Sequence, residues 1–222
     1  MSTIQKNYLH HFELKYGSNP HQKPATIYSF NGDDLPFAVL NGQPGYINLL
    51  DALNAWQLVQ ELDEVLGLPA AASFKHLSPA GAAVSVPLND ILQEVYDCKD
   101  LELSQLATAY IRARGADPLS SFGDFISLSR KVDVNTAELI RKMVSDGIIA
   151  PGFDDDALKL LKEKKGGKYL ILLADPEFRA PETEFREVYG VGFSQLRNTV
   201  KINEKSLLTE VVTKKKQLSA AA

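Results

Sequence analysis

Lys75 and His76 stand side by side in Ser73-Phe74-Lys75-His76-Leu77-Ser78-Pro79-Ala80-Gly81, directly after a short apolar run. An imidazole, with an unperturbed pKa of about 6.5, takes up or releases a proton near neutrality. An ammonium beside it can stabilise negative charge developing on an oxygen, or deliver a proton. The segment reads as a strand end followed by a helix start, with Ser78 at the N-cap and Pro79 at the first helical position. Ligands of α/β sheets gather beyond strand ends, near helix N-termini. On spacing alone two readings of the pair stand: an acid–base couple, or a solvated lysine beside a histidine that caps the strand end.

The chain has only four histidines, which narrows the search. His10 and His11 sit in a polar N-terminal segment and read as surface residues. His21 lies in Lys15-Tyr16-Gly17-Ser18-Asn19-Pro20-His21-Gln22, which gathers a cation, an aromatic ring, an imidazole and an amide with almost no core-forming residue. That run is either a ligand loop or a turn enriched in Asn-Pro and Gly. Arg112-Ala113-Arg114-Gly115-Ala116-Asp117 and Ser120-Ser121-Phe122-Gly123-Asp124-Phe125 are polar where a plain scaffold would be apolar. Their glycines could let backbone approach a ligand closely, but fit no P-loop or dinucleotide fingerprint. Asp146, in Ser145-Asp146-Gly147, could accept hydrogen bonds from ligand hydroxyl or amine groups, or could belong to a helix-ending turn. No His-x-Glu accompanies a Pro-Cys-x-x-Cys, so zinc-dependent deamination lacks its ligands and no metal site is expected. Gly-x-Ser-x-Gly is absent, and Cys98 has no cationic neighbour except Lys99, so a serine or thiol nucleophile has no support.

These residues need elements to hold them. Leu49, Leu50, Leu53, Trp56, Val59, Leu62, Val65 and Leu66 recur at helical spacing and predict a helix over 47–66, with Gly67 as its left-handed cap. A buried strand is expected over 70–74, helices over 104–114, 136–144 and 154–165, and strands over 122–128 and 169–173. The apolar Ile148-Ile149-Ala150 lies between the last two helices. Strands alternating with helices imply a layered α/β/α domain whose sheet is enclosed by helices. Residues 1–35, rich in Asn, Gly, His and Pro, read as an arm of loops, 36–200 as the α/β domain, and 201–222 as a loosely held extension.

Composition agrees with a compact protein. The 222 residues are 45% hydrophobic and 23% charged, values that exclude disorder, collagen-like and coiled-coil readings. A chain of this length can bury a core without metal or disulfide staples. A single cysteine allows no intrachain disulfide, which suits a reducing compartment. A net charge of −4 argues against a dedicated nucleic-acid binder. No segment approaches the roughly 20 apolar residues of a membrane span, and the N-terminus lacks a signal-peptide stretch.

Several of these runs together resemble AICAR transformylase, the formyltransferase half of the bifunctional purine biosynthesis enzyme. The resemblance is carried by Lys15-Tyr16-Gly17 through Gln22, Leu40-Asn41-Gly42 through Asn48, Asp51-Ala52-Leu53-Asn54-Ala55-Trp56-Gln57-Leu58 and the run 70–83. It continues through Ala113-Arg114-Gly115-Ala116-Asp117, 120–125 and Val144-Ser145-Asp146-Gly147-Ile148-Ile149-Ala150-Pro151-Gly152. It implies transfer of a formyl group from the co-substrate 10-formyltetrahydrofolate to the 5-amine of AICAR, late in IMP synthesis. It also implies a cytidine-deaminase-like α/β/α fold without zinc, and a cytoplasmic enzyme. Lys75 and His76 match the family's catalytic pair, while Lys15, Tyr16, His21, Gly123 and Asp146 match positions that hold the nucleotide.

Three departures qualify the match. Lys15 stands where arginine is common, so it would meet a phosphate as a point charge rather than a fork. Pro118 stands at a commonly basic position. The chain stops after Thr213-Lys214-Lys215-Lys216, where the family continues into a second half carrying much of the folate site. Activity is therefore expected to need a complementary C-terminal half, or a homodimer that contains it, and cyclohydrolase activity is not expected. The alternative is a ribonucleotide-binding module without catalysis.

Overall fold

The computed structural model describes residues 4–30 and 34–200. The expected extension over 201–222 lies outside the described residues. The chain divides into two compact units, Met1–Glu177 and Phe178–Ala222.

In the first unit, strands β1 (Tyr8–Leu14) and β2 (Ala25–Phe30) pair antiparallel. The sequence reading has loops here; the long Asn-Gly-Pro connection dominates the composition and hides the strands. Then come β3 (Phe37–Asn41), helix α1 (Tyr46–Leu66), β4 (Ala70–Lys75), β5 (Ser78–Val84), the short α2 (Asp90–Val95) and α3 (Gln105–Gly115). The unit is completed by β6 (Asp124–Leu128), α4 (Val134–Lys142), β7 (Ser145–Ala150), α5 (Asp155–Lys162) and β8 (Leu170–Ala174). A six-stranded sheet runs in the order β3-β8-β7-β6-β4-β5. β6, β7 and β8 are mutually parallel, and β3, β4 and β5 enter as antiparallel neighbours.

The two faces of the sheet follow from the period-two pleat. Ala70, Ala72 and Phe74 join Leu49, Ala52, Ala55, Trp56 and Val59 of α1 in one core. Ala71, Ile126, Leu128, Ile148, Ala150 and Ile171 meet α3, α4 and α5 in the other. The sheet is thus flanked by helices on both faces, as the layered reading expects. The cap of α1 is also as read, whereas α5 stops at Lys162, short of the expected 165. Gly67 closes α1 at φ 67° and donates to the Asp63 carbonyl at 2.8 Å. Asp155 and Asp156 open α5, and Lys159 and Lys162 end it.

One element departs from the reading. Residues 78–83 are not a helix start: Ser78–Val84 is β5, hairpinned onto β4. Serine, proline and small residues do suit a helix N-terminus, but tertiary packing overrides that signal. A Cβ on Gly81 would lie 2.0 Å from the Ala113 carbonyl oxygen, so β5 lies close against α3 in a way only a small-residue strand permits. β5 is the sheet's edge, where Pro79 is tolerated because no further strand needs its N–H.

In the second unit, β9 (Thr183–Val188) and β10 (Val191–Leu196) form an antiparallel hairpin, for which the sequence reading has no element.

Candidate active site

Because β5 is a strand, Lys75 and His76 do not precede a helix. They occupy the tight β4–β5 turn: Lys75 pairs with Ser78, and the two residues between them turn the chain. Both have positive φ, 51° at His76 and 68° at Leu77. A two-residue turn of the I′ kind demands this, and Asn-Gly is its usual occupant. Left-handed backbone costs a residue with a side chain about 1–2 kcal/mol. The exposed His76 is therefore held where the backbone alone would not choose to put it.

The pleat sends Ser73 and Lys75 to the α3 side of the sheet, opposite to Phe74. There the Lys75 ammonium donates to the Phe122 carbonyl and, at 3.3 Å, to the Gly123 carbonyl. An ammonium has three hydrogens, so two carbonyls fix its position and leave one for a further acceptor. Gly123 is at φ 73°, and a Cβ there would meet the Lys75 Nζ at 3.0 Å. Gly123→Ala is accordingly expected to lower stability by about 1–2 kcal/mol and to displace the ammonium. Urea denaturation reads the loss, and an unchanged midpoint would contradict the close approach.

The loop before β6 is braced from below. The Arg114 guanidinium, at the end of α3, donates to the Ser121 carbonyl at 2.7 Å, to Asp124 Oδ1 at 2.9 Å and to the Val144 carbonyl at 3.3 Å. Ser73 donates its hydroxyl hydrogen to Asp124 Oδ2 at 2.5 Å and accepts from the Ser121 hydroxyl at 2.9 Å. Asp124 has 0% exposure and Arg114 11%. Burial pushes the Asp124 carboxyl above its ordinary range, while Ser73 and Arg114 pull against that push. The polar runs around 112–125 thus include a buried brace tying β4, β6 and the start of β7 together, rather than only a ligand loop.

Asp146 stands at the start of β7, beside this loop, and pairs with the Lys165 ammonium at 2.6 Å. Lys165, Gly166 and Gly167 all have positive φ in the turn after α5. On the α1 side, the carboxylate of Asp51 accepts from the Leu77 amide at 2.6 Å. Burial raises the Asp51 carboxyl above its usual value, against the pull of that amide and of the His76 and Lys75 charges; the Asp146 carboxylate adds to the rise. Lys75, His76, Gly123 and Asp146 therefore come to one rim of the sheet. Asp51 joins them without having been singled out in the sequence. Its position four residues before the buried Ala55 was the available signal, since it puts a carboxylate on the apolar face of α1.

Lys15, Tyr16 and His21 lie together on the β1–β2 connection. That loop is closed on itself by Gly17 N–H to the Gln22 carbonyl at 2.8 Å and by Asn19 N–H to Gln22 Oε1 at 2.7 Å. Among the described residues no hydrogen bond or ion pair links the three to the Lys75 group. An apolar cavity of about 440 Å³ lies elsewhere, bounded by Tyr96, Cys98, Tyr110, Arg114 and Leu139, and does not include the turn. Among the described residues no cluster of three or more His, Cys, Asp or Glu side chains could hold a metal ion, and no helix is long and apolar enough to cross a membrane.

Comparison with known proteins places this geometry in a family. The family model described as AICARFT/IMPCHase bienzyme matches residues 1–222. A bifunctional purine biosynthesis protein PurH from Clostridium kluyveri is 37% identical over 156 residues, 68% of this chain and 27% of the relative. The protein of the same name from Clostridium botulinum is 34% identical over 163 residues, covering 72% and 28%. That of Petrotoga mobilis is 32% identical over 203 residues, covering 90% and 35%. The matched stretch spans between 27% and 35% of the length of these relatives. With its whole length matched by that model, the chain belongs to the AICARFT/IMPCHase bienzyme family.

Proposed function

We propose that this chain supplies the catalytic pair and part of the nucleotide site of an AICAR formyltransferase acting in purine biosynthesis. The observation that carries the reading is the Lys75–His76 turn at the sheet rim, with Gly123 and Asp146 beside it, in a member of this family.

The 5-amine of AICAR is a weak nucleophile, because its lone pair delocalises into the imidazole carboxamide. His76 takes the proton from that amine as the new C–N bond forms. Lys75, fixed by two carbonyls, directs its remaining hydrogen at the oxygen that gains charge or at the departing nitrogen of 10-formyltetrahydrofolate. Asp146 receives the nucleotide's polar groups by exchanging its contact with Lys165, and Lys15, Tyr16 and His21 contribute from the β1–β2 loop. The remainder of the folate and nucleotide contacts comes from a complementary C-terminal half, some of them reaching across a dimer interface. The setting is the cytoplasm, and the fold that of a cytidine-deaminase-like domain without zinc.

Two measurements test the proposal. Calorimetry with AICAR should show binding to the chain, weakened by Lys15→Ala. Formyl transfer should be weak or absent with the chain alone and appear when a separately expressed C-terminal half of a relative is added. Binding that never leads to transfer under either condition would favour the non-catalytic ribonucleotide-binding module instead. Full turnover by the chain alone would refute the need for a second half.

A further inference from the structure

The turn that carries Lys75 and His76 is held by a residue to which the reaction above gives no part. The buried positions of α1 are Leu49, Asp51, Ala52, Ala55, Trp56 and Val59, and Asp51 alone among them is charged. It is 5% exposed. A carboxylate on the apolar face of a helix loses hydration that an alanine or leucine would not miss, so packing does not account for it. Its contact does. Asp51 Oδ1 accepts from the Leu77 N–H at 2.6 Å, a short charge-assisted bond across the sheet rim from α1 to the β4–β5 turn.

The bond falls at the weakest point of the hairpin. His76 and Leu77 are both left-handed, at φ 51° and 68°, and neither is the glycine or asparagine that tolerates this readily. A turn of this kind with poorly suited residues persists only where its surroundings over-determine it. On the α3 side, Lys75 is tied to the carbonyls of Phe122 and Gly123. On the α1 side, Asp51 holds the amide one residue past His76. The turn is gripped from both faces of the sheet, through Lys75 and Leu77, the two chain neighbours of His76.

We infer that Asp51 is a positioning residue, clamping the Leu77 amide so that the strained turn presents His76 and Lys75 in their working geometry. The inference deepens the formyltransferase reading and rests on it for the working geometry; the clamp itself does not. A carboxylate is suited to the task because it reaches the Leu77 amide from the second turn of α1 and accepts a charge-assisted hydrogen bond there.

The test compares Asp51→Ala, which removes the acceptor, with Asp51→Asn, which keeps one oxygen for the Leu77 amide. Hydrogen exchange followed by NMR in the full chain reads the clamp without any substrate. Exchange at Leu77 should quicken about tenfold or more in Asp51→Ala and stay within about threefold in Asp51→Asn, with the amides of β6 to β8 unchanged in both. The rate of formyl transfer, measured with the complementary half added, should fall at least about tenfold in Asp51→Ala, with AICAR affinity held within about threefold. Asp51→Asn should recover most of that rate. Unchanged Leu77 exchange in Asp51→Ala overturns the clamp whatever the activity. Faster exchange at an undiminished rate overturns the positioning role. A wild-type chain that neither binds AICAR nor transfers formyl refutes the formyltransferase reading and the positioning role with it, while the exchange data still decide the clamp. If Asp51→Ala exchanges globally, the Asp51→Asn result decides, and loss of Leu77 protection there counts against the inference.

Discussion

Arg114→Met is expected to lower the unfolding free energy by about 3–5 kcal/mol, the usual cost of stranding a buried charge by removing its partner. The magnitude follows from the site. Asp124 has 0% exposure, and without the guanidinium it keeps only the Ser73 hydroxyl and nearby backbone amide as donors. Asp124 Oδ1 loses its donor, and the Ser121 and Val144 carbonyls each lose one of two, keeping the backbone N–H of Asp124 and of Gly123. For a domain of this size, such a loss corresponds to a fall in Tm of about 10 °C. The sign of the pH dependence is fixed as well. Burial already raises the Asp124 carboxyl above its ordinary value, and removing the cation raises it further. A carboxyl with a raised folded pKa favours the fold in its protonated form and loses that contribution as pH rises through the folded value. The deficit of Arg114→Met should therefore shrink as the pH is lowered from neutrality and the Asp124 carboxyl takes up its proton. Arg114→Met combined with Asp124→Asn, which keeps an acceptor for Ser73 without the charge, should recover a substantial part of the loss. Urea denaturation across pH checks all three statements, and a deficit below about 1 kcal/mol at neutral pH would contradict the buried-brace account.

The second large effect is chemical. His76→Ala should lower formyl transfer by about 10²–10⁴, the range for removing a general base, while AICAR affinity stays within about threefold. The separation follows from the proposed roles, in which His76 meets the reacting amine and Lys15, Tyr16, His21 and Asp146 hold the remainder of the nucleotide. Single-turnover measurements with the complementary half present give the rate, and calorimetry gives the affinity. Equal losses in both would make His76 a binding residue rather than a base.

How far the sequence revealed this arrangement depends on what each residue faces. The helices α1, α3, α4 and α5 and the apolar strands β4, β6 and β8 were legible because one-sided burial writes a 3.6 or short apolar pattern into the chain. β5 was misread because its signal is steric. Ser78, Pro79 and a run of small residues resemble a helix start, and only the approach of α3 to Gly81 makes them a strand. β1, β2, β9 and β10 bury too little to leave a pattern, with every residue of β10 exposed. The site divides in the same way. Lys75, His76, Gly123 and Asp146 carry their chemistry in their side-chain or backbone type and could be named in advance. Asp51 acts through a contact 26 positions away, which no local window contains, and Arg114 and Asp124, though in neighbouring polar runs, carry no sign in the sequence that they pair in the interior.

The β4–β5 turn has one further consequence. Asn-Gly in place of His76-Leu77 would relax the hairpin and raise heat tolerance, yet erase the imidazole. Under the proposed role of His76, screening libraries of this chain for thermal resistance alone would thus drift towards variants that survive heating and have lost the base. A search for a tougher chain that keeps this turn has to leave these two positions fixed and look elsewhere, for instance at the exposed helix surfaces.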